Sequence, residues 1–141
     1  MPALIYDAAI YDLATGGIDF AADHFAVMLV GPGYVPDKAN HARRSDVSGE
    51  IAGKGYEAGG RDAAVAAIRS VGMTEVTLGG AVWARATFVA RGAVYYKARG
   101  GSAELDELVA YVGADEDVTA TNGDFTLSAS LIELSEESPA A

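Results

Sequence analysis

The sequence predicts an all-β domain, mainly antiparallel, of sandwich or barrel type (jelly-roll or immunoglobulin-like), with one short helix near the N-terminus. Three observations point there. The run from Val82 to Lys97, VWARATFVARGAVYYK, has the period-2 texture of two successive strands. The chain carries 17 glycines and no cysteine, so its bends come from glycine and disulfide staples are excluded. Turn signals recur at intervals of roughly 10 residues, the spacing of short strands in a sandwich or barrel.

The elements follow in chain order. From Ala3 to Ala14, the residues Leu4, Ile5, Ala8, Ala9 and Leu13 fall near helical spacing, and Gly16-Gly17 stops the pattern. His24 to Val30, HFAVMLV, is a short apolar run between Asp23 and Gly31-Pro32-Gly33, the signature of a buried strand. Tyr34 to Gly60 is rich in proline, asparagine, serine and glycine and reads as a long excursion, a class of segment that is usually functional or flexible. Arg61 to Ser70 is ambiguous in itself, its alanines favouring a helix and its flanks a strand. Met73 to Leu78 alternates, with Thr74, Val76 and Leu78 on one face. Val82 to Phe88 and Val89 to Lys97 are read as two strands, and Glu107 to Val112 as another. Asn122-Gly123 is the strongest turn signal and predicts a hairpin into a last strand, Asp124 to Leu134, whose slip around Leu131-Ile132 marks a bulge or a change of packing face. Residues 1–134 form one domain on this reading, and 135–141 a flexible acidic tail.

A chain of 141 residues, half of them apolar, can bury a core without staples. Its longest apolar run, Phe25 to Val30, is far short of a membrane span, and the N-terminus lacks the basic flank of a signal peptide, so a soluble protein is expected. Twenty acidic against ten basic residues leave a net charge of −10, which argues against nucleic acid as a partner. Most of the acids, among them Glu104, Asp106, Glu107 and Asp115-Glu116-Asp117, read as solubilising charge, the last three as a solvated acidic turn.

Chemistry-bearing residues are sparse. His24 and His41 have no second ligand at metal spacing, so both are expected to be structural, and no metal or cofactor is implied. Gly53-Lys54-Gly55 lacks the Lys-Ser/Thr of a phosphate loop, and glycines 49, 53, 55, 59 and 60 read as backbone bends. The serines lie in no nucleophile-elbow context, and no enzymatic activity is expected. Trp83, Tyr95 and Tyr96 read as core. The basic knot His41-Ala42-Arg43-Arg44 reads as a solvated loop or as a contact for an acidic partner.

Taken together, YDLATGGIDFAADHFAVMLV, VSGEIAGKGYEAGG, VWARATFVARGAVYYK, ELVAYV and TNGDFTL resemble, in order and spacing, a family of small tailed-bacteriophage virion structural proteins. The closest parallels are Val47 to Glu50, Gly55 to Gly60 and Ala90 to Val94. Two departures occur: Val112-Gly113-Ala114-Asp115 stands where the family has Val-Asp-Phe-Gly, and the hairpin from Arg69 to Gly80 is short. The resemblance tips Arg61 to Ser70 to strand. It implies a virion component made in the host cytoplasm, foremost a capsid decoration protein bound to the outer face of the major capsid lattice and to copies of itself. A tail or head-to-tail connector protein is the alternative on the same reading. From the residues themselves, exposed aromatics at Tyr34, Tyr56 and Trp83 would suit a carbohydrate-binding module. The contact elements expected are the N-terminal helix and the long excursion, through Tyr6, Tyr11, Tyr34, His41, Arg43, Arg44, Lys54 and Tyr56.

Overall fold

The computed structural model describes residues 3–135. The expected acidic tail lies outside them, except for Ser135, which ends the last strand. The molecule is mostly antiparallel β-structure in two sheets that do not close into a barrel, with one short helix near the N-terminus. In order, the elements are β1 (Ala3–Ile5), α1 (Asp7–Thr15), β2 (Phe25–Val30), β3 (Arg61–Ala63), β4 (Val65–Ser70), β5 (Met73–Leu78), β6 (Ala81–Lys97), β7 (Leu108–Leu127) and β8 (Ser130–Ser135). One sheet has the order β1-β7-β6-β2-β3, the other β4-β5-β8.

The N-terminal helix starts later than its apolar spacing suggests. Ala3–Ile5 is a strand, with Leu4 opposite Tyr111, because Leu4 and Ile5 are taken up by the sheet edge before Tyr6, in extended backbone, turns the chain into α1. Gly16, at φ 85°, ends the helix by donating to the Asp12 carbonyl, the left-handed stop that glycine supplies without a Cβ penalty.

A larger correction concerns the two longest strands. Val82 to Phe88 and Val89 to Lys97 are a single strand of 17 residues, and Glu107 to Leu127 is essentially one strand rather than strand, acidic turn and hairpin. No turn residue separates Phe88 from Val89, so nothing stops the strand there. Asn122 does adopt the positive φ (48°) that made Asn-Gly a turn signal, as does Arg85 (φ 53°) across the ladder. Both serve bulges instead, with Gly123 facing Ala86 and the Thr87 hydroxyl accepting from the Asn122 N–H at 3.0 Å. A bulge and a hairpin use the same backbone conformation, and here the partner strand already lies alongside.

The second sheet is an extension of the first. Leu78 faces Ser130 and Ala81 faces Leu127, so the β6–β7 register runs without slip into β5–β8 across a corner at Gly79-Gly80 and Ser128-Ala129. The change of packing face expected near Leu131 thus occurs, two to three residues earlier. Glycine is needed at this corner, since a Cβ on Gly79 would stand 2.6 Å from the Ala64 carbonyl oxygen, which accepts the Gly79 N–H at 2.7 Å. Ala64 is the matching corner between β3 and β4, which confirms Arg61 to Ser70 as strand but divides it between the sheets.

The core lies where β2 crosses β6. All six residues of β2 are buried, as are Ala93, Val94, Tyr95 and Tyr96 in succession. Four consecutive buried residues mean that both faces of β6 are covered. The Tyr95 hydroxyl donates to the Gly79 carbonyl at the corner (2.7 Å), and the Tyr96 hydroxyl to the Gly59 carbonyl in the excursion (2.5 Å). The excursion is therefore the second layer over one side of the sheet.

Candidate functional site

The excursion is ordered by its own polar residues. Glu50 accepts the Tyr56 hydroxyl at 2.5 Å and the Gly59 N–H at 2.7 Å, while Tyr56 in turn accepts the Leu29 N–H of β2 at 3.0 Å. Burial, then the hydrogen bond to Glu50, pushes the Tyr56 hydroxyl far above its ordinary pKa, so it stays a neutral donor. Of the five glycines read as bends, Gly49, Gly55, Gly59 and Gly60 take positive φ; Gly53 does not, and serves close approach instead, since a Cβ there would stand 2.8 Å from the Thr87 carbonyl oxygen. Lys54 pairs in a bridge with Thr87, which meets at one point the stretch of β6 edge that β2 leaves open.

The eight expected contact residues fall into three places. Tyr6, Tyr34 and His41 come together inside the molecule. Tyr6 and Tyr34 are 0 % and 4 % exposed, their hydroxyls 2.7 Å apart, and the Tyr34 hydroxyl lies 2.9 Å from Nδ1 of His41, which also accepts the Asp37 N–H. Burial first, then the bond to Tyr34, holds the Tyr6 hydroxyl well above its usual range. These two tyrosines pin the excursion to β1 and are not available to a partner, because their rings and hydroxyls are consumed by the core.

Arg43 and Arg44 are also engaged within the chain. Arg44 donates to Asp106 at 2.8 Å, where the Asp106 side chain is 3 % exposed, and its guanidinium sits 5.0 Å from the Tyr96 ring centroid. Arg43 lies 3.6 Å from Asp12. The knot is thus an internal clamp between the excursion, α1 and the start of β7 rather than a solvated loop. Asp106, its counterpart, and the neighbouring Glu107 are buried and not solubilising charge. Glu107 takes a bidentate contact from Arg99 at 2.8 and 2.7 Å. The signal for this was present in the sequence: two carboxylates opening the apolar run DELVAYV cannot both face water if that run is a core strand.

On the surface remain Tyr11, 68 % exposed, with Ile10 beside it at 48 %, and Lys54, with Tyr56 half-buried behind it. Tyr34 and Trp83, two of the three aromatics expected for a sugar platform, are buried, and the Tyr56 hydroxyl is occupied, so that platform is not formed. Asp115, Glu116 and Asp117 lie in β7 instead of a turn, Asp117 meeting Arg91 at 3.0 Å. His24, expected to be structural, faces Asp62 at 2.9 Å on the surface.

Two adjoining clefts flank Arg61 and Asp62. One, of about 570 Å³, lies among His24, Arg44, Arg99 and Tyr96; the other, of about 490 Å³, lies among Gly55, Glu57, Gly60 and Trp83. Among the described residues, no three His, Asp or Glu side chains converge as a metal ion requires. Comparison with protein-family models, with curated proteins and with solved structures returned no match to this chain.

Proposed function

We propose that the chain is a structural subunit of a tailed-bacteriophage particle, a decoration protein that binds the outer face of the capsid lattice. The observation that carries the reading is the outer stripe of α1. Ile10, Tyr11 and Ala14 are exposed on one helical face, and Ile10, Leu13 and Ala14 open onto Leu134 of β8 in a shallow groove of about 500 Å³. An aromatic and an aliphatic side chain presented together on an otherwise acidic surface are what protein interfaces favour. The helix is held to the body by the Asp7 N–H bond to the Lys38 carbonyl (3.0 Å) and the Lys38–Asp7 ion pair, so the stripe reaches a partner with little ordering cost. Modest interfaces of this kind gain strength by repetition over a lattice. The order and spacing of the motifs around Glu50, Tyr56 and Gly92 support the same reading.

Electron microscopy of purified particles tests it. Density for this chain at many equivalent positions over the head supports decoration, and Tyr11→Glu should strip it from the particle while leaving the circular dichroism melt unchanged. One to a few copies per particle, or density confined to the tail or neck, overturns the decoration reading.

A further inference from the structure

We propose that β4 is a self-association edge, along which a second copy of this chain adds its own β4 in antiparallel register about a two-fold axis at Ala67. The inference starts from the backbone. Gly79 donates to the Ala64 carbonyl at 2.7 Å, and the β4–β5 register runs on from that bonded pair through Ala66 and Thr77, Ile68 and Glu75, and Ser70 and Met73. Bonded and non-bonded pairs alternate in an antiparallel ladder, so the N–H and C=O groups of Val65, Ala67 and Arg69 point away from β5. β4 ends the strand order of its sheet, and among the described residues no hydrogen bond reaches those outward groups. Every residue from Ala66 to Ser70 is exposed, so both faces of this stretch, as well as its edge, stand clear of the body.

The other sheet edges are guarded. β1 and β3 are three residues long. The outer edge of β7 is broken by register shifts and carries Asp115, Glu116 and Asp117. β8 has β1 and α1 beside it, and the same alternation turns Glu133 outward on its edge. Short length, bulges and charge are the ordinary means of keeping an edge from pairing. β4 is six residues long, VAAIRS, and holds register with β5 without a shift. It has no proline and no carboxylate, and its one charge is Arg69, on a chain of net charge −10. Two copies that repel over most of their surface can approach here.

The occupant is a second β4 because the edge is complementary to itself. A two-fold axis normal to the sheet at Ala67 sets Val65 opposite Arg69 of the other copy and Ala67 opposite its counterpart. Every outward group then finds a partner, in about six main-chain hydrogen bonds, two to each bonded pair. Sliding the register by two residues loses a pair, either to the turn at Val71-Gly72 or to Ala63 in the other sheet. The opposed side chains match large against small: Ile68 faces Ala66 of the other copy, the stem of Arg69 covers Val65, and the two Ala67 meet at the axis. The two Arg69 stand four residues apart along the ladder, ~13 Å, and the hairpin's only carboxylates, one Glu75 on each β5, lie three strand spacings apart, ~14 Å. Both separations exceed the Debye length of ~8 Å at physiological salt. Two three-stranded sheets thus become one continuous sheet, an isologous contact that closes at two copies.

Sedimentation velocity and amide hydrogen exchange on the free chain test this independently of any particle. A strand-to-strand interface is small and weak, so the parent should pass from monomer to dimer below about 1 mM. It should do so equally at about 100 mM and about 500 mM salt, since main-chain bonds and apolar contact carry the pairing. As concentration rises, exchange should slow at the amides of Val65, Ala67 and Arg69, whereas those of Ala66 and Ile68 are slow already in the monomer. Ala67→Glu and Ala67→Lys each set like charges face to face at the axis and should weaken the dimer about fivefold, with the melt unchanged because the side chain is exposed. Mixing the two variants should restore it. A parent that is monomeric at about 1 mM, a mixture that stays monomeric, or protection that skips the three outward amides overturns the proposal. So does assembly that grows past a dimer and is lost at about 500 mM salt or in Glu133→Lys, the signature of Arg69 meeting Glu133 on the β8 edge of the next copy.

Discussion

The Tyr111 ring fills the space over Gly92: a Cβ built on Gly92 would stand 2.5 Å from the Tyr111 hydroxyl oxygen and 2.7 Å from its ring carbons. Gly92 faces Gly113 across the ladder, and a Cβ there would meet the same ring at 2.8 Å. The ring in turn packs edge-on to Tyr34, centroids 5.9 Å apart, so it cannot swing away freely. Gly92→Ala is expected to cost about 1–3 kcal/mol as an overpacked site, and Gly113→Ala a similar amount, both read as a shift of the urea midpoint without a change in its slope.

Val94 and Tyr95 lie on opposite faces of β6, and neither is exposed. Val94→Asp should abolish folding, since an unpaired buried carboxylate costs several kcal/mol against a total of ~5–15 kcal/mol. Tyr95, which alternation alone would place on a tolerant outer face, is equally sensitive. Burial pushes its hydroxyl up to about 12, and Tyr95→Phe, by orphaning the Gly79 carbonyl, should cost about 1–3 kcal/mol. Thermal melts by circular dichroism of both variants check the pair, and a Tyr95→Phe variant that melts like the parent would show that the corner does not depend on this bond.

Reversing Arg44 is expected to unfold the domain rather than weaken a binding event. Arg44→Glu would set a second carboxylate against the buried Asp106, and breaking a pair of this kind costs about 3 kcal/mol or more. Arg43→Glu, on a longer contact to Asp12, should cost less. Measured by urea titration, the order of the two effects is the test.

Acid should destabilise the fold through identifiable groups. Glu107 is held below the usual carboxylate range by the Arg99 hydrogen bonds, Asp46 by the backbone N–H groups of Ala42 and Arg43, and Asp23 by Lys97. A carboxyl whose folded pKa lies below its unfolded one contributes stability above the unfolded pKa, near 4, and loses it as pH falls through the folded pKa. Asp12 acts the other way, since burial raises its pKa and its protonation favours the folded state. Asp37 is held low as well, by its hydrogen bond from Asn40, so with four lowered against one raised, urea midpoints should fall between about pH 5 and pH 2, and Glu107→Gln should flatten the slope. A midpoint independent of pH in that window would contradict the assigned pairs.

Much of this fold was legible in the chain, and the failures share a cause. Period-2 alternation located β5 and β6, and an unbroken apolar run located β2, because one or both faces must be dry. The Asn122-Gly123 signal was read correctly as positive φ and wrongly as a reversal, since local conformation does not say whether a partner strand is already in place. Leu4 and Ile5 fit a helix by spacing and a strand by environment, and the β1 edge position was decided by Tyr111 and its neighbours, over a hundred residues away. The site was less legible for the same reason. Arg43 and Arg44 look free in sequence because Asp12, Asp106 and Tyr96, which consume them, are all distant along the chain, while Lys54 and Arg85 meet no carboxylate among the described residues.

The unbroken register through the glycine corner also orders events in time. Tyr96 and Leu108, at the near end of the ladder, are about a dozen residues apart, whereas Met73 and Ser135, at the far end, are separated by about sixty, so the near end closes at far smaller entropic cost. The connection between β6 and β7, fastened by Arg99 and Glu107, is therefore the natural starting point, and pairing proceeds from there toward the corner. On a ribosome, β4 and β5 emerge early but wait for β8, which follows β6 and β7 in the chain. Until then the small sheet has both edges bare, with Ile68 and Val71 exposed at its tip, so the nascent chain is at its stickiest while β6 and β7 are being made.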